Sequence, residues 1–434
     1  MKKTLFTFSL TFLAAVSMAQ ETLSLGRCLQ MGIERNLDLK TYEGNVLKGK
    51  HNISENRARL LPQINIGAGL NDNFTPPVSV TDGSAYGKPY NVTKTLQYNS
   101  SASIQLQMPL YSQTALTALS ISKTLDRLNT LSYAKAKEDL IVQISKMYYL
   151  AQNTEEQIGI IKDNIKRLEE LRDITQAFHD NDMALSVDVK RVSVNLENLS
   201  VQYDNAKAML TQQYNMLKYI IDYPADKDIA VEKADIERTD LAALTGLNEN
   251  LYELQLLRTQ QNLAEQKKKL AKDGYLPTLA LTGNWTYTAF TDRFKNWFQS
   301  GESSHWYKSN GIGLSLRIPV FDGFEKAQVD IDNARLSYEN ALKGMQTQYA
   351  NAVNDLANNQ RNFSKQRDNY LLAEDVYKVT SDRYREGIAS MTEVLQDEMS
   401  MSDAQNNYLT AHFNYQVSNL TLLKLTGQLE KLMK

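Results

Sequence analysis

Four histidines and one cysteine are the side chains of this 434-residue chain best suited to ligate a metal or attack a carbonyl. His51, His179, His305 and His412 are scattered, and no pair has the short spacing that sets two ligands on one helix face. No phosphate-binding glycine loop and no serine elbow is present. Cys28 reads as a small packed apolar residue, and alone it excludes an intramolecular disulfide framework. The pattern predicts no catalytic centre, no metal and no cofactor. An enzyme is disfavoured because no acid, base or nucleophile group stands out.

Other polar residues gain meaning from where they sit. Asp180, Asp182 and Asp188 surround one break in a helical pattern, and Glu393 follows a second. Asp180 and Asp182 are ordinary turn formers by type, because Asp tolerates such conformations. Their position suits a constriction equally well. His179 reads as a solvated turn residue in preference to a pH sensor. Gln105, Gln107 and Arg317 occupy the polar positions of two alternating segments, where the plainer reading of Arg317 is a surface arginine.

The elements that must hold these residues follow from periodicity. Ile64, Ile66, Ala68 and Leu70 alternate with polar or small residues, as do Ala102, Ile104, Leu106, Met108 and Leu110. Leu279, Leu281, Gly283, Trp285 and Tyr287 form a third such run, and Ile312, Leu314, Leu316 and Ile318 a fourth. Period-two alternation gives each strand one apolar and one polar face. A soluble β-sandwich would also show it. Three features favour a membrane barrel instead. Each run has the ~9–11 residues that cross a bilayer at a tilt. Aromatic residues gather near the far ends, with Tyr98 in one pair and Trp285, Tyr287, Phe290, Phe294, Trp297, Phe298, Trp306 and Tyr307 in the other. The loops joining the paired runs are long.

Between the strand pairs the period changes. Leu140, Ile144, Met147, Ala151, Thr154, Ile158, Ile161, Ile165 and Leu168 step by four and three, and so do Leu185, Val189, Val192, Leu196, Leu199, Tyr203, Ala206 and Leu210. Val394, Met401, Tyr408, Tyr415 and Leu422 recur every seven, with Ala404, Ala411, Ser418 and Leu425 between them. These are heptads of antiparallel coiled-coil partners. Proline is absent from 110–223, 225–276 and 320–434, which leaves those stretches free to be long helices. The landmarks also repeat in order. Leu61-Pro62 matches Leu276-Pro277, Leu106–Tyr111 matches Leu316–Phe321, and Asp182–Val189 matches Gly387–Val394.

Lys2 and Lys3, the apolar run from Leu5 to Val16 and the small residues Ser17 and Ala19 form a secretory signal with cleavage after Ala19. Beyond it no apolar stretch approaches the ~18 residues of a membrane-spanning helix, so any membrane passage requires a closed barrel. The net charge of −2 argues against a nucleic-acid partner. Four strands cannot close a barrel, because the smallest have about eight. Two copies would supply eight and three would supply twelve. An eight-stranded lumen is filled by side chains, so a usable bore points to three or more.

These landmarks resemble the TolC-like outer-membrane efflux protein family. The residues that carry the resemblance are Leu61-Pro62 and Leu276-Pro277, the strand endings Met108-Pro109-Leu110-Tyr111 and Ile318-Pro319-Val320-Phe321-Asp322-Gly323, and the segment Arg383-Tyr384-Arg385-Glu386-Gly387. Leu25 through Leu39 is similar to that family's opening helix. The resemblance implies a homotrimer with a shared twelve-stranded β-barrel in the outer-membrane lipid and an α-helical tunnel in the periplasm. It implies a passive exit duct for tripartite efflux or type I secretion, served by a periplasmic adaptor and an inner-membrane pump or exporter. A coiled-coil envelope protein without a pore, structural or adhesive, is the alternative.

The corresponding divisions are a signal peptide at 1–19, N-terminal periplasmic helices at 20–61, a first β-hairpin at 62–111 and a first helical hairpin at 112–220. An equatorial linker at 221–246, a helix at 247–276, a second β-hairpin at 277–322 and a second helical hairpin with the C-terminal segment at 323–434 complete the chain. The resemblance places the helical turns at a periplasmic tip that constricts the pore. There Tyr384 matches a gating tyrosine, flanked by Arg385, and Glu393 matches an acidic ring position with Asp188 as its counterpart in the first half. Ala389 stands where some members carry a gating arginine, and Gln396 where they carry a second acid. Asp397 is adjacent, but on a helix it points about 100° away. The lock is therefore expected to be wired differently.

Overall fold

The computed structural model describes residues 21–233, 246–296, 305–320 and 325–433. The signal peptide, Trp297, Phe298, Phe321 to Gly323 and much of the linker lie outside the described residues. In chain order the elements are β1 (Glu21–Leu23), α1 (Leu25–Arg35), α2 (Leu37–Ala58), β2 (Gln63–Asp72), β3 (Val78–Asp82), β4 (Tyr90–Lys94), β5 (Tyr98–Tyr111), α3 (Gln113–Asp180) and α4 (Ser186–Ile221). They continue with β6 (Ile229–Val231), α5 (Tyr252–Asp273), β7 (Thr278–Thr291), β8 (His305–Arg317), α6 (Glu325–Arg385) and α7 (Met391–Leu425). The order helix, strand pair, long helix, return helix thus occurs twice. α2 and α5 each have 22 residues, α3 and α6 have 68 and 61, and α4 and α7 have 36 and 35. At 1.5 Å per residue α3 is about 100 Å long. No described helix is long and apolar enough to cross a membrane.

The chain forms two compact units. One draws on Tyr42–Tyr133 and Tyr252–Ala341. Its centre is an antiparallel sheet of four strands in the order β2-β5-β7-β8. The register shows how the alternation of separate segments adds up. Directly opposed residues share a face. Ile66, Ile104 and Trp285 form one row, which ends on Asn310 of β8, and Ile64, Leu106, Gly283 and Ile312 form the next. Met108, Leu281 and Leu314 form a third. Ile66, Ile312 and Leu314 are 80%, 83% and 69% exposed, so these rows have no cover within the chain. The opposite face carries Gln63, Gln107, Thr282 and Gly313 in one row and Asn65, Gln105, Asn284 and Gly311 in the next.

Two features depart from the simple alternation. The register between β5 and β7 shifts between Pro109 and Tyr111, which places Tyr111 opposite Leu279 on the apolar face. A bulge of this kind inserts one unpaired residue and re-aims those beyond it. The long first loop also holds a small hairpin, with β3 and β4 paired through Val80 and Val92. Its alternation is short and flanked by prolines, so periodicity alone predicts a loop there.

The other unit draws on Met1–Thr41, Ala134–Leu251 and Leu342–Lys434. Here β1 pairs in parallel with β6, and the Tyr148 hydroxyl, which donates to the Leu23 carbonyl and accepts from the Glu232 amide, ties that pair to α3. Cys28 is fully buried, as a packed apolar residue would be, and burial pushes its thiol up to about 12. The long helices pack along the expected seams. Ile161, Leu168 and Leu171 on α3, Val192, Leu199 and Ala206 on α4, Tyr377 and Tyr384 on α6 and Met391, Val394 and Met401 on α7 form one buried cluster. Leu185 heads the α4 heptad but is 68% exposed, because the helix starts only after it.

Candidate functional site

The two helical turns, after α3 and after α6, close by one device. After α3, Asp182 adopts a left-handed backbone with φ 56°, and the Met183 amide donates to the Phe178 carbonyl at 2.8 Å. After α6, Gly387 takes φ 72°, and the Ile388 amide donates to the Arg383 carbonyl at 2.9 Å. Both are left-handed helix ends that satisfy the last carbonyls. Asp182 therefore acts as a turn former. His179 spans the same turn, with Nδ1 placed 3.1 Å from the Ala184 carbonyl, which it reaches as donor. Asp180 accepts from the Gln176 amide at 2.7 Å.

The helices that leave the turns begin differently. α7 has a full capping box. The Ser390 hydroxyl accepts from the Glu393 amide at 3.3 Å, and the Glu393 carboxylate accepts from the Ser390 amide at 3.3 Å. α4 has Leu185 at the same place and no side-chain cap. Asp188 is the third residue of α4, as Glu393 is of α7, and both acids face the positive end of a helix dipole. Asp188 also accepts from Arg191 at 3.2 Å. Glu393 is exposed.

Tyr384 is 6% exposed and lies against α3. Its hydroxyl donates to the Thr175 hydroxyl at 3.3 Å, and its ring meets Phe178 at 5.7 Å between centroids. Burial raises its phenol above the ordinary value. Arg385 reaches across the same pair of helices, 3.7 Å from the Glu170 carboxylate, and also contacts Asp382 at 3.5 Å. Ala389 packs against the buried cluster, and Gln396 is exposed. Tyr384 with Thr175 and Phe178, and Arg385 with Glu170, thus join α3 to α6 at this end.

Higher up, polar residues break the apolar seams. Asn164 on α3 donates to Gln405 on α7 at 2.7 Å in a buried pair. Such a pair inside a coiled coil sets register at some cost in stability. Glu156 accepts from the Tyr408 hydroxyl at 3.1 Å and lies 3.4 Å from His412, itself 5% exposed. Glu398 is 6% exposed, and burial raises its carboxyl above the ordinary range against the opposing pull of Arg167. Periodicity missed Thr175, Asn164, Gln405 and Glu398. Each sits at a seam spacing where an apolar residue is usual, and that mismatch was the available signal.

The sheet's polar face holds the other expected residues. Gln105 lies between Asn65 and Asn284, and Gln107 between Gln63 and Thr282. Arg317 opposes Thr278 at the end of β8, where both side chains belong to that same face. Among the described residues no group of three or more His, Cys, Asp and Glu side chains could hold a metal.

Known proteins share this arrangement. The family described as "Outer membrane efflux protein" matches residues 28–221 and 244–428. The outer membrane protein TolC of Vibrio cholerae is 24% identical over 395 residues, which are 87% of this chain and 85% of that one. The solved structure of VceC from Vibrio cholerae superimposes with a TM-score of 0.75 at 14% identity, over 93% of this chain and 96% of that one. The outer membrane channel CmeC of Campylobacter jejuni does so with a TM-score of 0.74 at 17% identity, over 99% and 94%.

Proposed function

The chain belongs to the outer membrane efflux protein family and serves as an efflux exit duct in the outer membrane, and we propose that three copies build that duct as a homotrimer. The observation that carries the proposal is the sheet. One face is mainly apolar, with Ile66, Ile312 and Leu314 exposed, the other is polar, and β2 and β8 each have only one partner strand among the described residues. Unpaired backbone groups in lipid cost several kcal/mol each, so those edges need strands from other copies. Three sheets make a twelve-stranded barrel with an aqueous bore. The helices support the same reading. α4 has a second apolar stripe, Val187, Val194 and Val201, continued by Met209 and Met216, and all five are 44–59% exposed. Leu372 and Val379 on α6 are 63% and 52% exposed. A heterologous contact between such stripes closes into a ring under rotational symmetry.

In this reading 112–220 and 323–434 are the periplasmic hairpins, 221–246 is the equatorial linker, and the hairpins at 62–111 and 277–322 span the lipid. The duct is passive, and a periplasmic adaptor and an inner-membrane pump or exporter deliver its cargo. Tyr384, Arg385, Asp182, Asp188 and Glu393 form the closed tip, while Gln105, Gln107 and Arg317 face the barrel lumen. The mature protein in detergent is expected to have three times the mass of one chain and to conduct ions across planar bilayers. A monomeric mass would overturn the trimer, and a trimer without conductance would favour an envelope rod.

Glu393 has two roles to separate, because it caps α7 and would form an acidic ring of three. Glutamine preserves a capping box and removes the charge. Glu393→Gln is expected to lower cation selectivity at a cost in stability of no more than about 1 kcal/mol, the loss of the charge–dipole interaction. Reversal potentials identical to wild type in a salt gradient would leave Glu393 as a cap alone.

A further inference from the structure

The polar face of the sheet is almost free of charge. From the Thr278–Arg317 pair to the row Gly69, Ser101, Thr288 and Tyr307, it presents Gln, Asn, Ser, Thr, Gly, Ala, Pro and Tyr. Among the described residues Arg317 is the only charged side chain in these rows. Its side chain is exposed, and among the described residues no carboxylate pairs with it. The edge strands put glycine on this face twice each, Gly67 and Gly69 on β2 and Gly311 and Gly313 on β8.

We infer that the barrel selects solutes by charge at a single level, a ring of three Arg317 guanidiniums, and there favours anionic and uncharged solutes over polycations. The inference rests on the trimeric barrel proposed above. Rotational symmetry repeats one charge around the bore, and like charges lining a pore raise the barrier to ions of their own sign. Elsewhere the face offers neutral donors and acceptors, which hydrogen-bond polar solutes of either sign. Glycines on the edge strands leave the bore widest at the seams between copies. The duct then has two charged levels of opposite sign. Glu393 at the tip favours cations, and Arg317 in the barrel favours anions.

Salt gives the inference a signature. The screening length is about 10 Å at 0.1 M and about 3 Å at 1 M. A ring on the wall of a wide bore therefore acts on passing ions only in dilute salt. The test uses the trimer in planar bilayers under a potassium chloride gradient, with Tyr384→Phe and Glu393→Gln present so that the tip does not mask the barrel. Near 0.1 M salt, Arg317→Gln is expected to lower the chloride-to-potassium permeability ratio about two- to threefold, and near 1 M to leave it unchanged. Arg317→Lys should keep the parent ratio. Arg317→Cys gives a second measurement on an assembled protein. A cationic thiol reagent should restore the parent ratio, and the buried Cys28 offers no competing site. An unchanged ratio in both Arg317→Gln and unmodified Arg317→Cys overturns the assignment of Arg317 and leaves the duct intact. A parent protein that does not conduct overturns the duct itself, and this inference with it.

Discussion

Ile104→Arg is expected to abolish assembly in the outer membrane, whereas Ser103→Arg, one position earlier on the same strand, is expected to spare it. Neighbouring residues of a strand point to opposite faces. Ile104 lies on the mainly apolar face in the row with Ile66 and Trp285, and Ser103 lies in the polar row with Gly67 and Thr286. Both are near the middle of β5, which spans Tyr98–Tyr111, and so near the middle of the bilayer. An arginine facing lipid at that depth costs about 2–4 kcal/mol. A trimer bears the cost three times, roughly 6–12 kcal/mol, which is comparable with the whole stability of a typical domain. An arginine facing the bore stays in water. The amount of trimer in isolated outer membranes measures the difference. Equal amounts for the two variants would mean that the faces have been assigned wrongly or that the sheet does not sit in lipid.

Tyr384→Phe is expected to open the tip. The hydroxyl contributes one hydrogen bond, to Thr175, and phenylalanine keeps the ring in its contact with Phe178. A net hydrogen bond is worth about 1 kcal/mol, and the Thr175 hydroxyl keeps its own bond to the Leu171 carbonyl at 2.7 Å, so nothing is stranded. Three copies sum to about 3 kcal/mol, a shift of roughly a hundredfold in the closed-to-open ratio. Single-channel conductance or open time should rise accordingly. Thr175→Val should do the same, and the double variant should add little, because each single change already removes the bond. If the two effects add in full, Tyr384 and Thr175 act as separate packing residues and the lock lies elsewhere. Arg385 and Glu170 are the next candidates, although a half-exposed pair contributes less.

The cap at Glu393 shows why position alone does not assign a role. Asp188 and Glu393 hold the same place in the two halves, three residues past the helix boundary, and a single sequence presents them as equals. Ser390 makes Glu393 half of a reciprocal cap, and Leu185 denies Asp188 that bond. An acid ring and a helix cap would call for the same residue type at the same position, so substitutions must remove the charge and keep the bond.

The local periods were legible without coordinates. Every residue of the Val394–Leu422 and Ala404–Leu425 heptads is buried or half-buried in the structure, and all four alternating segments form strands. Strands and helices repeat their side-chain direction every two or three and a half residues, so burial on one side leaves a local record. What no local record holds is which distant residues meet. That β5 pairs with β7, merging two hairpins into one sheet with one mainly apolar and one polar side, depends on contacts between positions almost two hundred apart. The bulge before Tyr111, the Asn164–Gln405 pair and the bond from Tyr384 to Thr175 are of the same kind. Each is settled by long-range packing, which fixes register and partner only when the whole chain has folded. The absence of charge that isolates Arg317 likewise emerges only once four separate strands are laid side by side.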